Sequence, residues 1–245
     1  RNVPEAEALG FQNAWKMPSV LMWEREDMPA LSVDELRQGR TSIDPTILCR
    51  DYNIALHRDP ARIRHSVLTQ DELPKPGTLV AIDAEFVALN QEELEIRSDG
   101  TRSVIRPTRL SLARVSVVRG QGPKEGEAFI DDHIHTHEDV VDYLTKFSGI
   151  LPGDLDPSTS SHTVVPHKSA YKKLRLLVDC GCIFIGHGLK KDFRIINIFV
   201  PPSQVIDTVD LFHSPNHPRR LSLRFLSWFL LKIDIQSGYH ANNQV

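Results

Sequence analysis

The chain has 245 residues, of which 25% are charged, and a formal net charge of −3. That length admits one large domain, or one domain with part of another, and the near-neutral balance supplies no overall basic field to advertise nucleic-acid binding, although a local basic patch stays open. Cys49, Cys180 and Cys182 are too few and too poorly spaced for a disulfide framework or a structural zinc site, and no stretch approaches the ~18 apolar residues that span a bilayer.

This cysteine usage fits a reducing intracellular compartment. The sequence opens at Arg1 with neither an initiator methionine nor a signal-peptide pattern, and it reads as a fragment or a processed chain. Residues 1 to about 75 mix short apolar runs, Ser19 to Trp23 and Thr46 to Arg50, with proline- and charge-rich connections. Strands and loops are expected there, with a short helix over 33–38 capped by Ser32. Residues 66–78 are polar, carry Pro74 and Pro76, and are the expected linker.

The next stretch is Leu79-Val-Ala-Ile-Asp83-Ala-Glu85-Phe-Val87, an almost unbroken apolar run that predicts a strand buried on both faces. Asp83 and Glu85 interrupt it two residues apart, so both project from one face. A single acidic residue at a strand end is usually a cap or an ion-pair partner. Two adjacent carboxylates on a central strand repel each other and lose hydration, which points to a hard divalent cation between them, most simply Mg²⁺.

Downstream, Glu92 to Glu95 and the turn Ser98-Asp-Gly-Thr101 predict a hairpin. Leu110 to Val118 alternates apolar with polar or small residues and predicts a strand; 127–131 predicts another, giving an antiparallel half-sheet. His133, His135 and His137 follow at alternate positions, a spacing that suits no helical metal site. Thr136 and Asp139 instead read as a capping box opening a helix over 140–147, with the histidines at the surface. Residues 151–166, with three prolines and a Ser-Thr-Ser-Ser run, predict an exposed mobile loop.

A helix over 168–179, a buried strand over 182–185 and a turn at Gly186-His187-Gly188 come next. A helix over 189–199 follows, stopped by Pro201-Pro202. Asp192 sits in its first turn, where it would also offset the helix dipole; Lys190 and Lys191 could pair with phosphates or simply be solvated. Val205 to Asp207 reads as a strand end with Asp207 as N-cap, and 219–232 as a strongly apolar helix packed on the sheet. From Ser237 onward the texture turns polar and aperiodic.

With Asp83-x-Glu85 and Gly186-His-Gly-Leu-Lys-Lys-Asp192-Phe193 both in view, the chain resembles the DEDD exonucleases of the ribonuclease-H-like superfamily. Leu112 to Val117, Phe129 to Asp132, Gly186 to Asn197, Val205 to Val209 and Ser222 to Leu226 extend the likeness over residues 70–236. They do so toward one branch, the catalytic subunits of cytoplasmic poly(A)-nuclease deadenylation complexes. The resemblance implies an α/β fold, a ribonuclease-H-like mixed sheet flanked by helices. It also implies the tail of an inactive ubiquitin-hydrolase-like domain over 1–65, the linker 66–78, and a C-terminally incomplete exonuclease domain over 79–245.

It further implies stepwise 3′ to 5′ hydrolysis of poly(A) RNA, releasing 5′-AMP. Two Mg²⁺ ions, or Mn²⁺, would lie roughly 3.5–4 Å apart on Asp83, Glu85 and Asp192. Asp83 would bridge both, Glu85 would bind the ion carrying the attacking water, and Asp192 would hold the other. Implied partners are a pseudokinase regulatory subunit and, through it, poly(A)-binding protein, in the cytoplasm and away from membranes. The sequence departs from the family after Gln236, where a His and, five residues later, an Asp are expected. His240 takes the His position, as candidate general base, but Val245 takes the Asp position. Truncation, an altered reading of the tail, and true loss of the last carboxylate all account for this. The last would leave a catalytically dead RNA-binding or scaffold protein.

Overall fold

The computed structural model describes residues 43–96, 100–213 and 220–235. Readings placed on 19–23, 33–38, the turn residues Ser98 and Asp99, and on His240 and Val245 lie outside them. The order of the elements follows the chain: β1 (Leu79–Ala88), β2 (Glu93–Ile96), β3 (Arg102–Arg106), β4 (Leu110–Arg119), β5 (Ala128–His135), α1 (Thr145–Ser148), β6 (Val164–Pro166), α2 (His167–Asp179), β7 (Ile183–Gly186), α3 (Leu189–Ile196), β8 (Val205–Asp207), α4 (Thr208–Leu211) and α5 (Leu223–Leu226).

A six-stranded mixed sheet runs β6-β5-β4-β1-β7-β8, with β1 inside it; β2 and β3 form a separate hairpin. The β1/β4 and β4/β5 pairs are antiparallel, the expected half-sheet, while β7 adds to β1 in parallel and β8 to β7. Period-two alternation divides β1, β4 and β5 into two faces. Ile82 pairs with Val117 and Val117 with Ile130, and these side chains belong to the main core with Leu174 and Leu177 of α2. On the other face Asp83 pairs with Ser116 and Ser116 with Asp131, while Glu85 pairs with Arg114 and Arg114 with His133. One face of the three strands is therefore apolar and the other carries the charge.

A buried ion pair lies on the apolar face. Lys173 of α2 donates to Asp132 of β5 at 2.7 Å, with Asp132 1% and Lys173 6% exposed. Burial raises the Asp132 carboxyl above its usual range against the pull of Lys173. Such a pair fixes how α2 sits on the sheet more than it adds stability.

Several expectations need correction. The run 46–50 is a 3-10 turn, Pro45–Cys49, capped by Asp44 and starting at a proline. Its Leu48 is buried in the main core, and so is Leu68 of the expected linker, with Leu73 packed beside it. Apolar side chains spaced through this polar segment pack it onto the core. The helix over 140–147 does not form. Ala88 at the end of β1 donates to the Asp142 carbonyl and accepts from Val141, so these backbone groups go to strand pairing, and only Thr145–Ser148 is helical.

Residues 151–166 are packed. Asp154 and Asp156 accept from the backbone of Leu151 and Ser158, both at 2.8 Å, Leu155 is buried, and β6 pairs with β5. Aspartate turns do there what the proline-rich composition concealed. α3 stops at Ile196 because Asn197 turns left-handed at φ 59° and Ile198 donates back to Phe193. The last helix is short, α5 followed by a π turn over Ser227–Leu231, and it buries Leu226 and Ser227 while Phe225, Trp228, Phe229 and Leu231 stay exposed. Apolar residues all round so short a helix exceed the one side it can bury.

Candidate active site

Asp83 and Glu85 sit on β1 as the sequence predicted, Asp83 exposed and Glu85 half-buried. A bulge in the β1/β4 pairing falls just after Glu85, and such irregularities re-aim side chains beside a site. Asp192, in a distant part of the sequence, sits in the first turn of α3, where the charge of Asp83 reaches it. Its half-buried carboxyl is pushed up to about 6, first by burial and then by the negative charge of Asp83, with Asp207 adding to it and Lys191 opposing it. Two carboxylates from distant segments thus share one electrostatic environment.

The turn that delivers Asp192 is built from tight contacts. Gly186 ends β7; a Cβ there would lie 2.5 Å from a Leu189 methyl and 3.0 Å from the Ile82 carbonyl oxygen, so only glycine lets α3 start this close to β1. Gly188 follows in the left-handed region at φ 82°. Its N–H donates to Asp207 Oδ1 at 2.8 Å, and the same oxygen accepts from Val209 at 3.0 Å as the N-cap of α4. The expected cap is real, and it also ties the β7/α3 turn to the β8/α4 junction.

Beside it, Thr208 Oγ1 donates to the Gly186 carbonyl at 3.0 Å and therefore accepts from His187 Nδ1 at 2.8 Å. This assigns the proton to Nδ1 and leaves His187 Nε2 as an acceptor when the ring is neutral.

Arg114 of β4 places a positive charge on this face. Its Nε donates to Asp131 Oδ1 at 2.7 Å, with both side chains largely buried. Burial works against its charge, but the hydrogen bond and charge of Asp131, and after them Glu85 and Asp83, outweigh it and hold the guanidinium above its ordinary value. A groove of about 570 Å³ opens along the same face, lined in part by Arg64, His65, Arg114, Ser116 and Asp131. The polar members of the alternating 110–118 run were the one sequence signal that could have singled out Arg114.

Of the three histidines only His137 is at the surface as expected; His133 and His135 belong to β5. β5 continues through His135; His133 is buried and stacks on His162 with ring centroids 4.1 Å apart. Burial, then the charges of His162 and Arg114, push His133 down to about 3, so its ring is neutral. These rings fill the space between β5 and the 151–166 segment.

The oxygen donors Asp83, Glu85 and Asp192 suit a hard divalent cation, and the raised Asp192 carboxyl marks a spot short of positive charge. Among the described residues no three His, Cys, Asp or Glu side chains are gathered tightly enough to form a ready-made metal cage. His240 lies outside the described residues, so the base position has no geometry. No helix among the described residues is long and apolar enough to cross a membrane.

Residues 80–242 match the exonuclease family RNase_T. The PAN2-PAN3 deadenylation complex catalytic subunit PAN2 of Cryptococcus neoformans is 59% identical over 98% of this chain and 20% of that protein. The corresponding subunit of Schizosaccharomyces pombe is 53% identical over 98% of the chain and 21% of its own length. Among solved structures, the Saccharomyces cerevisiae Pan2 pseudoubiquitin hydrolase-RNA exonuclease module in complex with AAUUAA RNA superposes with a TM-score of 0.72 at 46% identity. That match covers 86% of this chain and 32% of the other. The chain spans about one fifth of the length of the curated relatives it matches.

Proposed function

The chain belongs to the RNase_T exonuclease family, matched over residues 80–242, and from that membership together with the likeness to PAN2 catalytic subunits we propose that it is the nuclease portion of a deadenylating enzyme. In this reading it is a Mg²⁺-dependent, poly(A)-specific 3′–5′ exoribonuclease that shortens mRNA tails and releases 5′-AMP. The observation that carries it is the Asp83 and Glu85 pair on one face of β1 inside the matched exonuclease region, with the charge of Asp83 reaching Asp192 on α3, because carboxylates so placed are stabilised by a cation between them.

Asp83, Glu85 and Asp192 would hold the divalent cations. When bound, such ions polarise the phosphate and lower the pKa of a bound water, which is why this site needs acceptor oxygens rather than a protein nucleophile. Asp207 and Gly186 keep the Asp192 turn against β1, and Thr208 keeps His187 in one tautomer. His240 is proposed as the base from its place in the sequence alone.

Residues 1–65 are proposed as the tail of a ubiquitin-hydrolase-like domain and 66–78 as the connection to the nuclease. The PAN2-PAN3 naming of the relatives supports a partner subunit; that this subunit is a pseudokinase, that it brings poly(A)-binding protein, and that the setting is cytoplasmic are proposed from the sequence resemblance alone. A scaffold that binds RNA without cutting it is the second reading, favoured by Val245 where the family places its last carboxylate. The test is decay of 3′ ends on labelled poly(A) beside a mixed-sequence RNA, with Mg²⁺ and with chelator, and Asp83→Ala as control. Mg²⁺-dependent decay of poly(A) that stops in the control is expected; binding without decay, or equal decay of both RNAs, counts against the enzyme or against its specificity.

A further inference from the structure

We propose that Arg114 is a positioning residue for the carboxylate pair: held by Asp131, its guanidinium balances the charge of Asp83 and Glu85 and so sets how tightly a divalent cation is taken up there. The inference rests on reading Asp83 and Glu85 as metal ligands and goes beyond it by assigning a second, opposed pair of residues to the tuning of that site.

Three observations converge. Arg114 stands opposite Glu85 in the β1/β4 register, so both side chains rise from the same face at neighbouring positions. The Asp131 hydrogen bond at 2.7 Å, between side chains 17% and 10% exposed, holds a residue type whose flexible stem would otherwise leave its charge diffuse. The charge of Arg114 is felt by Glu85 and Asp83 together. Its other register neighbour, His133, is a neutral ring and adds no charge of its own.

On these three strands Asp83, Glu85 and Asp131 thus share one arginine. Deleting the arginine leaves the carboxylates to attract a cation more strongly. Deleting the charge of Asp131 instead turns the full guanidinium charge on the pair and weakens that attraction. A pair that merely braced the sheet would behave otherwise, since either deletion removes the same contact and would act in the same direction.

The experiment is calorimetric titration of Mn²⁺ into the full chain without RNA, so that the readout does not depend on turnover. Arg114→Gln is expected to tighten Mn²⁺ binding about three- to tenfold, and Asp131→Asn to weaken it by a similar factor, at moderate salt. Arg114→Lys, which keeps the charge, is expected to stay within about twofold of wild type. Changes in the same direction for Arg114→Gln and Asp131→Asn, or none in either, overturn the proposal. Should Arg114→Gln fail to fold, the isosteric Asp131→Asn still decides: weaker binding supports the proposal, and unchanged or tighter binding refutes it. A wild-type chain that takes up no Mn²⁺ refutes the metal reading itself, and this inference with it, whereas wild-type binding with indifferent variants refutes this inference alone.

Discussion

Replacing Asp192 with asparagine is expected to stabilise the metal-free protein while abolishing its activity. The carboxyl stands at about 6 against an ordinary value of 3.8, raised by burial and by Asp83. In a fully buried group a shift of about two units would correspond to roughly 3 kcal/mol. Asp192 is only half-buried, and solvent screening leaves about 1 kcal/mol.

The sign follows from linkage. A folded-state value above the unfolded one means that the contribution of Asp192 to stability is fully present below about pH 4 and is lost as pH rises through about 6. An asparagine in its place would keep the shape without that loss. In chelator near pH 8 the Asp192→Asn variant should therefore melt about 2–4 °C above wild type, and near pH 4 the two should coincide. Mg²⁺ should reverse the order near pH 8, because the cation relieves in wild type the repulsion that the amide has already removed, and this rescue should fade as pH falls through about 6, where a proton competes for Asp192. Differential scanning calorimetry with and without Mg²⁺ reads all of this. A variant that melts at or below wild type in chelator near pH 8 would refute the raised Asp192 carboxyl, and with it the combined cost of burial and of the Asp83 charge.

Other substitutions test the frame around the site. Lys173→Met leaves the buried Asp132 without its partner and should cost about 3–5 kcal/mol in urea unfolding, whereas the double change with Asp132→Leu should recover most of that. Gly186→Ala drives a Cβ to 2.5 Å from the buried Leu189 and 3.0 Å from the Ile82 carbonyl oxygen. It should cost about 1–3 kcal/mol and reduce turnover through the displaced Asp192 turn, as thermal melts and poly(A) decay would record. Gly188→Ala meets no neighbour but sits at φ 82°, and should cost only about 1–2 kcal/mol. Thr208→Val removes the acceptor of His187 and the donor to Gly186, and should lower stability by about 1–2 kcal/mol in the same melts.

Much of the fold was legible because its signals are local. The apolar run around Asp83, the alternation over 110–118 and the basic-apolar pattern of α2 each set their own element, and Asp207 announced itself as a cap. The misplaced helix over 140–147 shows where locality stops. Its local pattern suits a helix behind a cap, yet Val141 and Asp142 are claimed by Ala88, more than fifty residues earlier. The 151–166 segment deceived for the same reason: proline and serine content speaks of backbone freedom, but Leu155 and Val164 are held by burial against strands the composition does not mention.

The sequence by itself determined that a carboxylate pair stands on one face of a central strand, since a two-residue period leaves no other arrangement for Asp83 and Glu85. It also determined the family, matched over residues 80–242. Only the tertiary structure decided what surrounds that pair. Asp192 reaches Asp83 because Gly186 lets α3 start against β1. Arg114 faces Glu85 because the β1/β4 register happens to fall there, with Asp131 one strand further on. Register and crossover are settled by how the apolar faces of separate segments fit together, and charges on the opposite face are carried into place by that packing rather than by any pattern of their own.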